Sequence, residues 1–436
     1  MATAARKDDV IRIWRDIAPT PGPLKSPSKH SPRVLIVGGG VIGLTTAWTL
    51  LDKGYHVTVL AKEWASYGKE QRITSQIASA LWEYPPAVCG QHTDEISLQH
   101  SKGWAMTSYN IWDAISASPE LSKASGVRMK GAIFFFPRLI EEDPKQLRKM
   151  EEIMACGVRG FRHDAKLIQE RDLSPSYGAV DAYEHLAPTI DTDQAMTWLK
   201  GLVESKGATM VTRTLRGDLF SQEDNLRAEY NVDVIVHSTG LGGLHLAGDE
   251  TCYPIRGGLI RVINDGKDFP KIEHAMTISA DAAGTTNEIV FIVPRNDNIL
   301  LLGGIVEPGE GKLDLMLDSP IIKRMRERCE RFYPPLKYAR LDPDYPFAQG
   351  ARPFRKNNVR VERELRFHED LVNGRRFMRP SRIIHSYGHG GSGWSLSFGC
   401  AGDMLRLVEE ALLDIVPVPL EMERPARVLD YPMVKL

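Results

Sequence analysis

The sequence predicts an α/β fold with two interleaved domains, and three observations predict it. Residues 33–63 read as strand, glycine-rich turn, helix and strand in that order. The order of strand, glycine turn and helix returns near the C-terminus, in residues 382–413. Between them, residues 256–305 hold short strand-like runs separated by Asp, Gly, Asn and Pro turns, which are typical of antiparallel sheet. A nucleotide-binding domain interrupted by a strand-rich second domain explains this alternation.

The first segment carries a G-x-G-x-x-G motif in the context that gives the motif its mechanism. Its elements are the strand Val34 to Val37, the helix Leu44 to Leu50 and the strand Val57 to Leu60. Gly38 permits the tight turn, Gly40 lets a pyrophosphate approach the backbone, and Gly43 lets helix and strand pack closely. The acid that grips the ribose is expected at the end of the second strand, where Glu63 follows Ala61 and Lys62. The segment therefore predicts a Rossmann-type dinucleotide site.

Length and composition bound the remaining possibilities. A chain of 436 residues is long enough for two or three domains, and 42% hydrophobic residues supply a large core. The net charge of -1 does not favour nucleic acid or an anionic membrane as a partner. No apolar run reaches the ~18 residues of a membrane span. The five cysteines form no C-x-x-C pair, and no His, Cys or carboxylate cluster has metal-ligand spacing, so we expect no metal.

Helices and strands follow in alternation through the middle of the chain. Helical patterns cover Glu95 to Ser116 and Pro144 to Ala155. A further amphipathic helix runs from Asp191 to Gly207, with Asp191 as the predicted N-cap. The strand Val232 to Val236 leads into another glycine turn. In the second domain, strand-like runs are Leu259 to Ile263, Glu288 to Val293 and Ile299 to Leu302.

The C-terminal segment repeats the opening arrangement. A short strand, Arg382 to Ile384, enters the loop His385 to Ser395, and a helix from Leu396 to Leu413 follows. A second helix N-terminus can therefore face an electron-rich acceptor, such as a flavin edge that gains negative charge on reduction.

Four segments resemble the FAD-dependent D-amino acid oxidase family, which includes the D-aspartate oxidases. They read VLIVGGGVIGLTTA, VDVIVHSTGLGG with YPIRGG after it, ARPFRKNNVRVERE, and IIHSYGHGGSGWSLSFGCA. The resemblance covers the chain from about Arg33 to its end. It implies an α/β fold in which a Rossmann-type FAD-binding domain is interleaved with a substrate domain on a mixed sheet.

The resemblance also implies domain boundaries and cofactor contacts. The FAD-binding domain would comprise residues 33–90, 190–250 and 376–436, and the substrate domain residues 91–189 and 251–375, after a flexible extension of residues 1–32. The residues matched to FAD contacts are Gly38, Gly40, Val41, Ile42, Gly43, Lys62, Glu63, Thr74, Ser75, Ser79, Ala80, Leu81, Leu215, Thr239, Gly240, Gly390, Gly391, Ser392, Gly393, Trp394 and Ser395.

The activity implied is transfer of hydride from the α-carbon of a D-amino acid to flavin N5. The imino acid then hydrolyses to a 2-oxo acid and ammonia, and oxygen is reduced to hydrogen peroxide. Arg352 matches the carboxylate-binding arginine, whose planar fork suits two carboxylate oxygens, and Gly391 matches the glycine whose carbonyl receives the amine. We expect Arg355, Arg360 and Arg363 to be structural or solvated.

Three positions depart from the family pattern. Phe291 stands where a Tyr hydroxyl usually helps to hold the carboxylate, Val306 replaces a Tyr seen in yeast enzymes, and Thr285 to Asn287 offers no second active-site Tyr. A more apolar site favours neutral or aromatic D-amino acids over D-aspartate, which needs a second cation. Alternatives that stay open are an oxidase of a specialised amine or imino acid, a flavoprotein without turnover, and an NAD-dependent dehydrogenase. We expect His385 and His389 to pack or hydrogen-bond near the flavin rather than to act as bases.

The chain ends point to partners and to localisation. Residues 1–32 form the predicted N-terminal extension, with a short helix expected at Asp8 to Ile17 and a linker of Pro, Ser and Lys composition at Pro19 to Pro32. Val434-Lys435-Leu436 resembles the S-K-L peroxisomal signal, so we expect the peroxisome, with the cytoplasm as the alternative. Expected partners are a D-amino acid, oxygen, a second copy in a homodimer, and the peroxisomal import receptor.

Overall fold

The computed structural model describes residues 17–86, 94–278 and 289–420, in which seventeen strands build two large sheets and one hairpin. The strands are Arg33–Val37 (β1), His56–Ala61 (β2), Val127–Phe136 (β3), Arg162–His163 (β4), Asp181–Ile190 (β5), Thr209–Thr212 (β6), Val234–His237 (β7), Cys252–Ile263 (β8), Ala275–Ile278 (β9), Val290–Pro294 (β10), Ile299–Gly303 (β11), Glu307–Pro308 (β12), Phe347–Arg355 (β13), Arg360–Arg363 (β14), Phe367–Val372 (β15), Arg375–Pro380 (β16) and Ile383–Tyr387 (β17).

Helices cover both sheets in this part of the chain. They are Val41–Asp52 (α1), Thr74–Ile77 (α2), Glu95–Ala117 (α3), Pro119–Ser125 (α4), Pro144–Ala155 (α5), Leu167–Glu170 (α6), Thr192–Ser205 (α7), Leu219–Tyr230 (α8), Gly243–Leu246 (α9), Pro320–Phe332 (α10) and Gly393–Leu412 (α11). Short 3-10 turns lie at Ile140–Glu142, Pro175–Tyr177, Gly240–Gly242 and Pro334–Tyr338. None of these helices is long and apolar enough to cross a membrane.

The first sheet is the predicted nucleotide sheet, with the strand order β14-β17-β7-β1-β2-β6. Its strands β17, β7, β1, β2 and β6 are parallel, and their carboxyl ends therefore meet at one edge. Helix α1 is buried along its whole length because α11 and α7 cover it. Gly399 makes the packing of α11 on α3 possible, since a Cβ atom there would lie 2.1 Å from Trp104 Cα. The Rossmann-type prediction is confirmed.

The second sheet runs in the order β12-β8-β11-β10-β9-β3-β5-β4, and β13 also pairs with β8. Strands β8, β11, β10 and β9 are antiparallel neighbours, as the turns between them predict. Strand β3 pairs parallel with β9, so the sheet as a whole is mixed. Helix α10 closes one face through a separate apolar cluster that includes Phe332 and Met325. The interleaved α/β fold class is confirmed.

Two elements lie elsewhere than the predicted boundaries place them. Strand β14 falls in the predicted substrate segment 251–375, but it pairs antiparallel with β17 in the nucleotide sheet. Helix α3, in the predicted substrate segment 91–189, packs against α11 of the nucleotide domain and also contacts β3 and β5 of the second sheet. A local sequence pattern indicates that a face is buried, but it does not say which element buries it.

Part of the N-terminal extension predicted to be flexible is packed where the structure describes it. Ile17 is buried, and the Asp52 carboxylate at the end of α1 accepts hydrogen bonds from the Ala18 and Leu24 backbone. The same carboxylate pairs with Lys206 Nζ at 2.8 Å, and both side chains are fully buried. A buried ion pair with several backbone donors holds residues 17–24 on the nucleotide domain. Residues 1–16 and the C-terminal Val434-Lys435-Leu436 lie outside the described residues.

The N-terminus of α7 also departs from prediction. Asp191 occupies the N-cap position, but its side chain makes no capping hydrogen bond. Its carboxylate instead accepts from Asn296 Nδ2 at 2.8 Å, in the turn that follows β10. A cap prediction considers only local donors, and a tertiary donor displaces them here.

Candidate functional site

A cavity of about 1050 Å³ lies where the carboxyl ends of the nucleotide sheet meet the second sheet. Most of the predicted cofactor and substrate contacts line this cavity. They are Gly38, Gly40, Val41, Ile42, Lys62, Glu63, Thr74, Ser75, Ser79, Leu215, Thr239, Gly240, Phe291, Arg352, Gly390, Gly391, Gly393 and Trp394. The two glycine-rich loops thus face one space, which a dinucleotide site built on the N-terminal motif alone would leave unexplained.

Five predicted contacts do not line the cavity, and each has a structural position instead. Gly43 packs, since a Cβ atom there would lie 1.9 Å from Gly38 O. The Ala80 carbonyl accepts from Ile190 N, and Leu81 bridges to β5. Ser392 is the N-cap residue of α11, and Ser395 is buried within that helix.

The first glycine turn has the shape of a pyrophosphate cradle. Gly38 has a φ of +129°, and a Cβ atom there would lie 2.3 Å from Ser238 O. Gly40 provides no side chain to cap α1, and the Val41 N–H donates to Ser75 Oγ at 3.1 Å. A helix start whose N-cap residue has no side chain, beside a bare backbone, suits an anion. These residues therefore fit the diphosphate of FAD.

Glu63, the residue predicted to contact the ribose, lies just after β2. Glu63 lines the cavity, and its carboxylate pairs with Lys62 Nζ at 2.9 Å. Both side chains are more than half exposed, so the pair can rearrange at little cost.

Hydrogen bonds tie the second glycine loop and the start of α11 to strand β13 and to helix α2. Gly390 N donates to Pro353 O at 2.8 Å, and Trp394 Nε1 donates to Ser75 O at 2.9 Å. His389, which also lines the cavity, is buried, and its Nε2 atom finds no hydrogen-bond partner among the described residues. Burial lowers the pKa of His389 to about 3, so the imidazole is neutral at physiological pH.

Arg352 enters the cavity from β13 without an acidic partner. Its Nη1 donates to the Ile305 carbonyl at 3.1 Å, and within the described ranges no carboxylate forms an ion pair with it. The guanidinium lies flat against Gly257, where a Cβ atom would be 2.5 Å from Arg352 Cζ. By contrast, Arg256 on the neighbouring strand pairs with both Glu307 and Asp314. Backbone contacts thus hold the Arg352 guanidinium in place, and its charge remains available to bind an anionic ligand.

The remaining lining of this end is apolar. Among described residues that the second sheet and its loops contribute, Arg352 is the only charged one. The others are Gly257, Gly258, Leu259, Thr277, Ile289, Phe291, Gly304, Ile305, Val306, Leu313, Gly350, Ala351 and Pro353. The predicted departure at Thr285 to Asn287 lies outside the described residues.

The other arginines near this site have structural partners. Arg295 is buried, and its guanidinium donates to the carbonyls of Gln76, Ala78 and Ile190. It therefore ties the loop around α2 to the second sheet. Arg355 pairs with Asp249 at 2.7 Å. Arg360 bonds Glu362 and the Tyr387 hydroxyl, and Arg363 bonds the Ser381 carbonyl.

Sequence reasoning missed most of the second-sheet lining and several cavity residues at the nucleotide end. Arg213 and Arg216 lie just after β6, and Ser238 precedes Thr239. Had β6 been recognised, its position in the parallel sheet would have pointed to the residues after it, because parallel strands end at the same edge.

One cluster has ligand atoms close enough to hold a metal ion, although the sequence predicts none. Oxygen and nitrogen atoms of Glu141, His163 and Asp181 lie within 4.8 Å of one another, brought together by the pairing of β4 with β5. The Asp181 oxygens already accept from His163 and from the backbone of Ile140 and Ala182. These bonds account for the cluster as a structural contact.

Comparison with known proteins agrees with this geometry. The family model described as FAD dependent oxidoreductase matches residues 33–407. The D-amino-acid oxidase of Rubrobacter xylanophilus is 30% identical over 380 residues, covering 87% of this chain and 97% of the relative. Human D-aspartate oxidase is 27% identical over 398 residues, covering 89% and 98%.

Solved structures share the fold. Glycine oxidase from Bacillus cereus matches with a TM-score of 0.62 at 18% identity, covering 88% of this chain and 98% of that one. L-alpha-glycerophosphate oxidase from Mycoplasma pneumoniae, solved with FAD bound, matches with a TM-score of 0.60 at 16% identity, covering 87% and 95%.

Proposed function

Because this chain belongs to the FAD-dependent oxidoreductase family, we propose that it is an oxidase of neutral D-amino acids. The products would be the 2-oxo acid, ammonia and hydrogen peroxide. The observation that carries the proposal is Arg352, a guanidinium without an acidic partner among the described residues, directed into an otherwise apolar cavity end. A fork of this kind is suited to an α-carboxylate, and it needs one because an unpaired cation in such surroundings is costly.

The residues around Arg352 assign the other parts of the substrate. Gly391, on the loop before α11, lines the cavity, and its carbonyl would accept a hydrogen bond from the amine. The side chain would face Phe291, Ile289 and Val306, which exclude water from it. When bound, FAD supplies the hydride acceptor for the α-carbon. The imine released to water hydrolyses to the 2-oxo acid and ammonia.

The number of positively charged residues at this end of the cavity bears on the charge of the substrate side chain. An acidic side chain would need a second positive group at this end, where Arg352 is the one charged residue that the described part of the second sheet contributes. Arg72, which also lines the cavity, is paired with Asp193 at 2.7 Å. Arg295 cannot serve, since its guanidinium is committed to three backbone carbonyls. This supports a neutral or aromatic side chain over D-aspartate.

A second candidate is an amine or imino acid of specialised metabolism. The observation that favours it is the loss of two hydroxyls, at Phe291 and Val306, both of which line the cavity. Removing hydroxyls weakens the grip on a carboxylate by about 1 to 2 kcal/mol each and leaves more apolar room.

Anaerobic reduction of the flavin tests these assignments. The purified yellow protein is mixed with neutral, aromatic, basic and acidic D-amino acids, with their L-enantiomers as matched controls, and the visible flavin absorbance is followed. Bleaching by neutral or aromatic D-amino acids alone is the expected result. Fastest bleaching by D-aspartate would overturn the charge argument, and bleaching by none would favour the specialised amine.

We further propose peroxisomal import, in line with Val434-Lys435-Leu436 and with the release of peroxide. A homodimer is a separate proposal. A fluorescent fusion carrying these three residues at its C-terminus, compared with one that lacks them, tests the import. A cytoplasmic signal from both would refute it. Light scattering of the purified chain tests the dimer.

A further inference from the structure

A buried chain of polar side chains connects the cavity to the protein surface. Thr239, which lines the cavity, lies 2.7 Å through its Oγ1 from His237 Nε2. The Nδ1 atoms of His237 and His385 are 3.1 Å apart, and His385 Nε2 is 3.3 Å from Glu364 Oε2. Both imidazoles and the carboxylate are buried. We name these four residues the Thr239 relay.

The hydrogen bonds of the Thr239 relay all run in one donor-to-acceptor direction, which Glu364 at the outer end determines. Glu364 Oε2 also accepts from Arg366 at 2.7 Å, and Arg366 pairs in turn with Asp218 at the surface. Burial alone would raise the pKa of Glu364, but the hydrogen bonds from His385 and Arg366 hold it well below its usual range. An ionised carboxylate only accepts, so His385 Nε2 must carry a proton.

The same reasoning assigns the proton positions on His385, His237 and Thr239 in turn. Burial first, and the Arg360 charge next, lower the pKa of His385 to about 4, so this imidazole is neutral and its Nδ1 has no proton. His237 must then donate from Nδ1. Burial and the neighbouring His385 hold the pKa of His237 well below its usual range, which leaves its Nε2 as an acceptor. Thr239 therefore donates its hydroxyl proton to His237.

A hydroxyl that has donated its proton has only lone pairs left. We propose that the Thr239 relay presents Oγ1 to the cavity as a fixed acceptor for a hydroxyl of FAD, on the ribityl chain or the ribose. A phosphate oxygen would be repelled there, which leaves the diphosphate to the N–H groups behind Gly38 and Gly40. His237, His385 and Glu364 are thus positioning residues for the cofactor. The inference concerns FAD binding alone and does not depend on the proposed substrate.

Glu364→Gln tests the direction with little change of shape. A carboxamide can donate as well as accept, so the relay can run either way and Thr239 loses its fixed orientation. We expect the Kd for FAD, measured by diluting the holoprotein and following flavin fluorescence, to rise about fivefold, the value of one neutral hydrogen bond. Asp218→Asn is the matched control, because it removes the other partner of Arg366 without touching the relay. It should leave the Kd unchanged.

A double-mutant cycle separates orientation from general damage. Thr239→Val should raise the Kd about fivefold, and Glu364→Gln should add nothing in that background, because no hydroxyl is left to orient. His237→Phe provides a second route that spares the Glu364–Arg366 pair, and it should behave in the same way. Additive effects in both cycles would overturn the relay.

Cofactor analogues identify the hydroxyl. One analogue lacks the ribose hydroxyls and another lacks ribityl hydroxyls. The wild type should bind one of them more weakly than FAD, and Thr239→Val should bind that analogue and FAD alike. If neither analogue couples to Thr239, the proposal is wrong even where the protein binds FAD and oxidises substrate.

Discussion

Replacing Arg352 by Ala removes the charge on which the proposed substrate binding depends. The guanidinium is half-buried, donates once to Ile305 O and has no carboxylate partner among the described residues, so its other donors remain for a ligand. Each hydrogen bond to a charged group contributes about 1.5 to 3 kcal/mol, and the half-exposed site favours the lower figure. Two such bonds amount to about 3 kcal/mol, or roughly a hundredfold in kcat/KM.

The assay is anaerobic flavin reduction at increasing concentrations of the best D-amino acid. The apparent substrate constant should rise steeply while FAD stays bound, because Arg352 lies at the second-sheet end of the cavity. Arg352→Lys keeps the charge but loses the planar fork, so it should retain intermediate activity. Lys356→Ala is the control, since Lys356 is an exposed cation just beyond the same strand. If Arg352→Ala keeps kcat/KM within threefold of wild type, the carboxylate assignment is wrong.

Three further outcomes are expected. In Gly257→Ala the new Cβ would lie 2.5 Å from the Arg352 guanidinium, so the guanidinium must move and KM should rise about tenfold. Gly201→Ala is the control, because no atom lies within 4 Å of its new Cβ. Phe291→Tyr adds a hydroxyl to the cavity and should lower KM severalfold, by about 1 kcal/mol; an unchanged KM would place the carboxylate elsewhere. Burial lowers the pKa of His389 to about 3, so the imidazole is already neutral well below pH 6.5. His389→Asn should therefore leave the pH profile of kcat/KM unchanged between pH 5 and 8. A titration near 6.5 that His389→Asn abolishes would contradict that assignment.

Local chemistry explains why some features could be predicted from the sequence. Gly38 is required locally by its positive φ, and Gly43 by its contact with the Gly38 carbonyl, so the motif that contains them specifies its own turn. Helices α1 and α11 were predictable in the same way, because each follows a strand and a glycine turn. The position of Arg352 followed from resemblance, and the cavity around it includes the glycine loops that the motifs predicted.

Features that depend on strand order could not be predicted. His237 ends β7 and His385 lies in the middle of β17, 148 residues further along the chain, and their contact exists because β17 lies beside β7. The Asn296 bond that takes Asp191 from its capping role is equally non-local. Neither hydrophobic periodicity nor residue propensity indicates which strands become neighbours in a sheet.

The hydrogen bond from Gly390 N to Pro353 O places two tasks on consecutive residues of one strand. In the proposed assignment Arg352 would bind the substrate carboxylate, and Pro353 accepts the hydrogen bond from the loop before α11, so a single peptide unit separates the two anchors. Any shift of strand β13 would carry both anchors together. With the proposed assignment, the distance from substrate to flavin would be insensitive to movement of the second sheet as a whole, and an insertion of one residue in this strand would change it.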